Sequence, residues 1–420
     1  MPYHFYRSGF FFSKWYQAVL ATLYYLINTV AILINAIDCA YYKFILKRST
    51  ADLLSLIALG NDTANNIGSM AATFWYVPLI LIICIIIMIM VYKRIRVPYK
   101  LPHESVTIKF ITQRIIVFAL SGGIIVIAFR GGLQYKPLGI LAAAQYASPQ
   151  NAPLVLNSAF TIIKTAYKDE LVTYNYFDES QCETYFNALH HYQSSQPFQN
   201  KNVVIIILES IGKEYVGFYN NKKGYTPFID SLAAQSLTFR YSFANAKKSI
   251  EGIPAVTASI PALMSNPFIT SVYNGNNINS LASTLKLKGY GSAFFHGGNN
   301  GTMGFDNFAR MAGYDYYFGK NEYEAQHGKN DYDGYWGIFD ESFYSYFAES
   351  MHSMKQPFIT TLFTISSHHP YVIPEKYKGR FPKGTLEVHE SVGYSDYALR
   401  TFFEKIKNES WYNNTLFVIT

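Results

Sequence analysis

The stretch Asn202-Val-Val-Ile-Ile-Ile-Leu-Glu-Ser210 carries the reading on which the fold class turns. Six consecutive apolar residues, mostly β-branched, give way at once to Glu209 and Ser210. A strand with one wet face would alternate, so this one is expected to be buried on both faces, as in a parallel sheet covered by helices. Two similar runs follow, Gly291-Ser-Ala-Phe-Phe-His296 and Phe358-Ile-Thr-Thr-Leu-Phe-Thr-Ile365, and a fourth is Thr415-Leu-Phe-Val-Ile-Thr420. Helical segments are expected between them, over Phe228 to Ser236, Asn279 to Lys288 and Ser391 to Lys407. Strands alternating with helices predict a mainly parallel α/β sheet. No internal repeat is visible.

Upstream of this domain the character of the chain changes. Ala72 to Tyr92 carries no charge, and 21 residues at about 1.5 Å each give roughly 30 Å, the thickness of a bilayer core. Trp15 to Ile37 is also uncharged, though Asn28, Asn35 and several tyrosines weaken it. Ile115 to Phe129 is shorter, with Arg114 and Arg130 placed to snorkel from its ends. Three spans are therefore expected, at about 15–37, 72–92 and 115–129. The competing reading is that these are buried helices of a soluble protein. Between the second and third spans lie Lys93, Arg94, Arg96, Lys100, Lys109 and Arg114 against Glu104 alone. By the positive-inside rule that loop is cytoplasmic, and the chain after Arg130 lies beyond the membrane. No short apolar region with a small-residue cleavage site stands near the start, so an uncleaved anchor is expected. The expected organisation is a membrane region (1–130), a polar-aromatic linker with Pro137, Pro149 and Pro153 (131–200), and an α/β domain (201–420).

Composition excludes several classes. Half of the 420 residues are hydrophobic, 17% are aromatic and 15% charged, which rules out intrinsic disorder. Cys39, Cys84 and Cys182 are too few and too scattered for a disulfide scaffold. The net charge of +7 could suggest nucleic acid. However, the tightest basic cluster directly follows an apolar run and reads as a membrane flank, so no nucleic-acid partner is expected.

In a parallel sheet, ligands gather at the carboxyl ends of strands, where this chain places Glu209, His296 and His368. A second constellation is Asn245-Ala-Lys-Lys-Ser249-Ile-Glu251-Gly252-Ile-Pro254, ahead of a small-residue stretch from Ala255 to Leu263 that could open as a helix. A hydroxyl at a helix N-terminus sits in a positive potential suited to a phosphoryl group, with Lys247 and Lys248 adding charge. The same residues also fit a plain N-cap serine with Glu251 near it. A third is the glycine-rich run from Phe295 to Asp306, containing Asn299, where backbone can approach a ligand closely. The fourth is Ser366-Ser-His368-His369-Pro370, whose adjacent histidines point different ways. There is no Walker loop, His-Glu-x-x-His or Gly-x-Ser-x-Gly.

Taken in order, the several N-terminal spans, the strand followed by Leu208-Glu209-Ser210, Lys-Ser249-x-Glu, Phe-His296-Gly and Ser-His368-x-Pro resemble the lipoteichoic acid synthases. They are similar more widely to bacterial phosphoglycerol transferases and sulfatase-like enzymes of the alkaline phosphatase superfamily. Arg130-Gly-Gly-Leu-Gln134 and Ala152-Pro-Leu-Val-Leu-Asn157 also look like the linker of that group. The resemblance implies an alkaline-phosphatase-like domain outside the cytoplasm, holding one divalent metal, Mn2+ or Mg2+. It implies Glu209 as a metal ligand, Ser249 as nucleophile and second metal contact, and His296, His368, Lys248 and Asn299 on the substrate. The implied reaction moves a phosphoglycerol-type group from a lipid head group to an envelope glycan or polymer through a phosphoserine.

Against the family's pattern, an Asp-His metal pair is expected just past Thr420, which implies a C-terminally truncated domain that is inactive as given. Met303-Gly-Phe305 stands where the family has Trp-x-Arg, and five spans are usual where three are read. Ser249-Ile-Glu-Gly-Ile lacks the Cys/Ser-x-Pro-x-Arg context of true sulfatases, which argues against sulfate-ester hydrolysis. Phosphoethanolamine transfer, or a catalytically silent envelope protein that binds lipid or glycan, are the alternatives.

Overall fold

The structure is a computed structural model that describes residues 13–45, 48–51, 74–95, 107–134, 137–148, 151–166, 171, 175–187, 191, 196–245, 248–264 and 266–420. The chain divides into two compact units, 1–168 and 169–420.

Among the described residues of the first unit, three helices are long and apolar enough to cross a membrane: α1 (Lys14–Ile45), α2 (Tyr76–Ile95) and α3 (Ile108–Arg130). The start of the third differs from expectation, lying at Ile108 rather than Ile115. Thr107 explains it, because its extended backbone and its side chain, which accepts from the Phe110 N–H at 3.3 Å, cap a helix that begins there. Arg114 is therefore inside the helix, its guanidinium over the Phe110 ring at 5.0 Å. Gly131 then stops the helix in a left-handed conformation (φ 78°). Tyr92 of α2 stacks on Tyr24 of α1, with ring centroids 4.9 Å apart.

Near the end of α1, Asp38 is fully buried and fully paired. It accepts from Arg48 (2.9 Å), from the Ser49 N–H (2.9 Å) and hydroxyl, and from the Ser158 hydroxyl (2.7 Å). Arg48 also donates to the Pro153 carbonyl at 2.7 Å. Residues 48–51, α4 (Ala152–Val155) and α5 (Ser158–Thr165) are thus clasped to α1.

The second unit holds α6 (Glu179–Tyr185) and then a five-stranded sheet: β1 (Asn202–Ile207), β2 (Gly291–His296), β3 (Tyr316–Phe318), β4 (Phe358–Phe363) and β5 (Thr415–Ile419). The spatial order is β3-β2-β4-β1-β5 and every pairing is parallel. The helices are α7 (Pro227–Ala233), α8 (Ser249–Ala258), α9 (Leu281–Lys286), α10 (Phe305–Met311), α11 (Lys320–His327), α12 (Asp340–His352) and α13 (Val388–Ile406). Val204, Ile206, Phe295 and Leu362 from one sheet face pack on Phe347 of α12 and Leu399 and Phe402 of α13.

Register brings the carboxyl ends level. Ile207 pairs with Phe363, and Phe363 with His296. Residues that follow β1, β2 and β4 therefore emerge side by side along one edge.

Candidate active site

Glu209 emerges two residues after β1, and the chain on β4 grips it from both sides. Its N–H donates to Thr364 Oγ1 at 2.8 Å, and Ser367 donates its hydroxyl to the Glu209 carbonyl. Ser210 then turns left-handed (φ 55°), and its hydroxyl donates to Glu209 Oε1 at 2.7 Å.

The other carboxylate oxygen meets the candidate nucleophile. Ser249 Oγ donates to Glu209 Oε2 at 2.6 Å across 40 residues of sequence. Lys248, in an extended conformation, occupies the N-cap of α8, so Ser249 is the first helical residue. This overturns both the helix start expected near Ala255 and the reading of Ser249 as a plain N-cap, because its hydroxyl points to Glu209. The physical reason is that Lys248 O already accepts from Glu251 N and Gly252 N, which closes the first turn without a side chain. Ser259, left-handed at φ 53°, ends the helix.

His296, at the end of β2, is 2% exposed and stacks on Phe363 (centroids 4.7 Å), with Phe305 edge-on at 5.4 Å. Its Nδ1 lies 3.1 Å from the Phe363 carbonyl. A carbonyl only accepts, so Nδ1 carries the proton and Nε2 keeps a lone pair. Burial pushes its pKa down to about 4, so the ring is neutral at pH 7. Nε2 faces Gly298, where a Cβ would come within 2.7 Å.

His368 follows β4 and is half-buried against Trp336, centroids 4.3 Å apart. Its Nδ1 is 3.0 Å from the His369 carbonyl, which also accepts from Trp336 Nε1 at 2.6 Å. His369 turns away to Tyr371. Asp340, the first residue of α12, fastens this loop. It is 3% exposed, its Oδ1 accepts from Ile365 N (2.9 Å) and Ser366 N (3.2 Å), and its own N–H donates to Ser366 Oγ. Desolvation raises its pKa to about 6.

Two strand spacings of about 4.8 Å separate the ends of β1 and β2, with β4 between. Glu209 and Ser249 are thus in direct contact, while His296 and His368 stand along the same edge. Lys248 is exposed, and Lys247 lies outside the described residues. Asn299 is exposed on the glycine-rich loop, its Oδ1 3.4 Å from Lys320 Nζ. Sequence reading missed Thr364, Ser367, Trp336 and Asp340. Thr364 and Ser367 carried a usable signal as hydroxyl residues directly after the apolar run of β4; Asp340 and Trp336 carried none.

A family described as Sulfatase matches residues 201–420. The chain belongs to the sulfatase family. It is 25% identical over 228 residues to a lipoteichoic acid synthase-like protein of Bacillus subtilis (strain 168), covering 52% of this chain and 36% of that one. To lipoteichoic acid synthase 2 of the same organism it is 24% identical over 256 residues, covering 58% and 38%. A solved structure of a protein in the alkaline phosphatase superfamily from Vibrio parahaemolyticus is similar at 30% identity and a TM-score of 0.49, with 54% of each chain covered. This chain spans less than half the length of those two curated relatives.

The sulfatase-like, alkaline phosphatase superfamily implies a divalent metal. Glu209 and Ser249 offer hard oxygen donors in contact with one another, the donor type that Mg2+ or Mn2+ prefers. Such ions take about six ligands. Among the described residues no group of three or more His, Cys, Asp or Glu converges. The two residues fit as part of a metal's shell.

Proposed function

We propose that the chain is a membrane-anchored phosphotransferase that moves a phosphoglycerol-type group from a lipid head group to an envelope glycan or polymer, with the α/β domain outside the cytoplasm. The observation that carries this reading is the 2.6 Å contact between the Ser249 hydroxyl, at the start of α8, and Glu209 at the sheet edge. Family membership, and relatives named as lipoteichoic acid synthases and phosphoglycerol transferase I, support it.

In the first step the Ser249 oxygen attacks phosphorus as its proton passes to Glu209 Oε2, 2.6 Å away, a P–O bond to Ser249 forms, and the P–O bond to the lipid alcohol breaks. His368 gives the leaving oxygen a proton. In the second step an acceptor hydroxyl attacks the phosphoserine and loses its proton to His368, which restores that residue, while the bond from phosphorus to Ser249 breaks and Ser249 takes its proton back from Glu209. His296, held neutral with Nε2 bare, is suited to accept rather than donate. Free N–H groups of the first turn of α8 would face the phosphoryl oxygens. Held by Glu209 and Ser249, Mn2+ or Mg2+ would lower the hydroxyl's pKa and offset phosphoryl charge.

The test is incubation of the purified full-length protein, with its complete metal-ligand set, with a phosphatidylglycerol donor and Mn2+, followed by peptide mass spectrometry. A phosphoglycerol adduct on Ser249, absent in Ser249→Ala together with at least ~1,000-fold of the turnover, is the expected result. Turnover that survives Ser249→Ala removes this residue from the reaction and overturns the reading.

A further inference from the structure

The two short helices α4 and α5 carry their polarity the wrong way round for water. A surface helix of a soluble protein turns its hydroxyls outward and its apolar side chains inward. In α5 the hydroxyl residues Ser158, Thr161 and Thr165 are buried, each at 1% exposure or less. Thr161 donates to the Ser49 carbonyl at 2.6 Å, Thr165 Oγ1 accepts from the Ala51 N–H at 2.8 Å, and the Ser158 N–H donates to Asn35 Oδ1 at 3.0 Å. Outward instead stands Ile163, 68% exposed, with Phe160 half-buried beside it. In α4 the same holds, since Ala152 and Pro153 are buried while Leu154, at 59%, and Val155 are exposed. The one charged residue of α5 is Lys164, whose ammonium lies over the Phe160 ring at 5.6 Å.

The partners on the inner side place these helices in depth. Asn35 and Asp38, which hold Ser158, both belong to the candidate membrane span Lys14–Cys39. Asn35 stands four residues before the end of that span, about 6 Å along the helix axis. α4 and α5 are therefore clasped beside the last turns of an apolar helix, not past its end. Over the same turns α1 exposes Val30, Leu33 and Ile37, so the outward apolar surface of the short helices continues one that α1 already presents. Backbone in hydrocarbon must have its polar groups met within the protein. Here Arg48 donates to the Pro153 carbonyl, and Asn157 caps α5 by accepting from the Phe160 N–H at 3.2 Å.

We propose that residues 152–166 are a lipid-embedded element, seated in the leaflet where α1 ends, with Leu154, Val155, Phe160 and Ile163 on acyl chains. Lys164 has the length to reach the head groups while its stem stays on Phe160. Two helices of four and eight residues are too short to cross a bilayer, so the element lies in one leaflet and adds no span. Lipid is the occupant that explains the reversal, because only an apolar solvent rewards a helix for hiding its hydroxyls and showing its isoleucine. The assignment rests on the membrane-anchored part of the proposed function and is independent of the transfer reaction.

The experiment places an environment-sensitive fluorophore on single cysteines in the full chain, with Cys39, Cys84 and Cys182 replaced by alanine. Leu154→Cys and Ile163→Cys probe the element; Ile83→Cys on α2 and Glu404→Cys on α13 are the references. All four positions are exposed, so labelling leaves the packing intact. The labelled chains are reconstituted into mixed phosphatidylcholine–phosphatidylglycerol vesicles and quenched either by lipids with a nitroxide on the upper acyl chain or by aqueous iodide. Labels at 154 and 163 should follow the one at 83, with at least ~3-fold more nitroxide quenching than at 404 and a blue-shifted emission. Iodide quenching equal to that at 404 overturns the element. Shielding from both quenchers also overturns it, since protein would then cover this face. Labels that follow position 83 in a protein that never transfers phosphoglycerol overturn the reaction and leave the element standing.

Discussion

At the scale of single residues, His296 has a signed consequence for stability. Its folded pKa of about 4 lies below the ordinary value of 6.5, because burial among Phe305 and Phe363 disfavours the charged ring. The unfolded chain therefore takes up a proton first as pH falls. The stability held above pH 6.5 is lost progressively as pH drops through 6.5 toward 4, by about 2–3 kcal/mol at pH 4.5. Urea unfolding of wild type and His296→Asn at pH 7 and pH 4.5 should show that decline in the wild type and its removal in the variant. Equal slopes would mean that the ring is protonated in the folded state. Thr364 gives a second prediction at this scale. Thr364→Val keeps the shape of the side chain but leaves the Glu209 N–H without its 2.8 Å acceptor, a cost of about 1–3 kcal/mol. Turnover should fall further than that loss of stability explains, since the displaced group is Glu209; the ratio of kcat to melting temperature across Thr364→Ser and Thr364→Val checks it.

Among elements, the β4–α12 junction is where packing becomes chemistry. Asp340 begins α12, holds the backbone after β4, and accepts from Ser395 of α13 at 3.1 Å. Asp340→Ala strips acceptors from two buried N–H groups and should cost about 2–4 kcal/mol while releasing the loop that grips Glu209 and carries His368. The expected signature in steady-state kinetics is a kcat that falls with KM little changed. Asp340 also titrates with the opposite sign to His296. Its pKa of about 6 is above the ordinary 3.8, so this group's contribution to stability rises as pH falls through 6 toward 3.8. The sequence made the long apolar strands visible, since β1, β2, β4 and β5 each announce themselves by a run of β-branched or aromatic residues. It did not reveal β3, whose three residues Tyr316–Phe318 are too few for a period to emerge. Nor did it reveal α10, α11 and α12: α11 is mostly polar, and the apolar stripes of α10 (Phe305, Phe308, Ala309) and α12 (Phe343, Phe347, Met351) are short and set among polar residues. The pairing of Glu209 with Ser249 was suggested by resemblance alone, because no local rule links residues 40 positions apart. The Trp336–His368 contact was illegible for the same reason.

On the scale of the whole molecule, the two units call for separate tests. The Asp38 clasp ties residues 48–51 and 151–166 to α1, and removing one partner of a buried, paired charge costs about 3–5 kcal/mol. Asp38→Ala should therefore raise hydrogen exchange across Ser158–Thr165 by orders of magnitude while exchange in the β1–β4 ladder stays as in wild type. Equal protection of Ser158–Thr165 in both proteins would show that the clasp is dispensable. The strand order has a consequence in time. β4 sits between β1 and β2, yet Asn202 and Phe358, bonded through the Asn202 side chain, are 156 residues apart. A ribosome adding ~5–20 residues per second needs roughly 10–30 s to cover that distance. Throughout that interval Val203–Ile207 exists as an apolar strand with no neighbour on either side, a template for wrong pairing. Glu209, His296 and His368 can be brought level only after the centre of the sheet arrives. The site is thus among the last parts of the domain to form, and the newborn chain is most exposed to aggregation while it waits for β4.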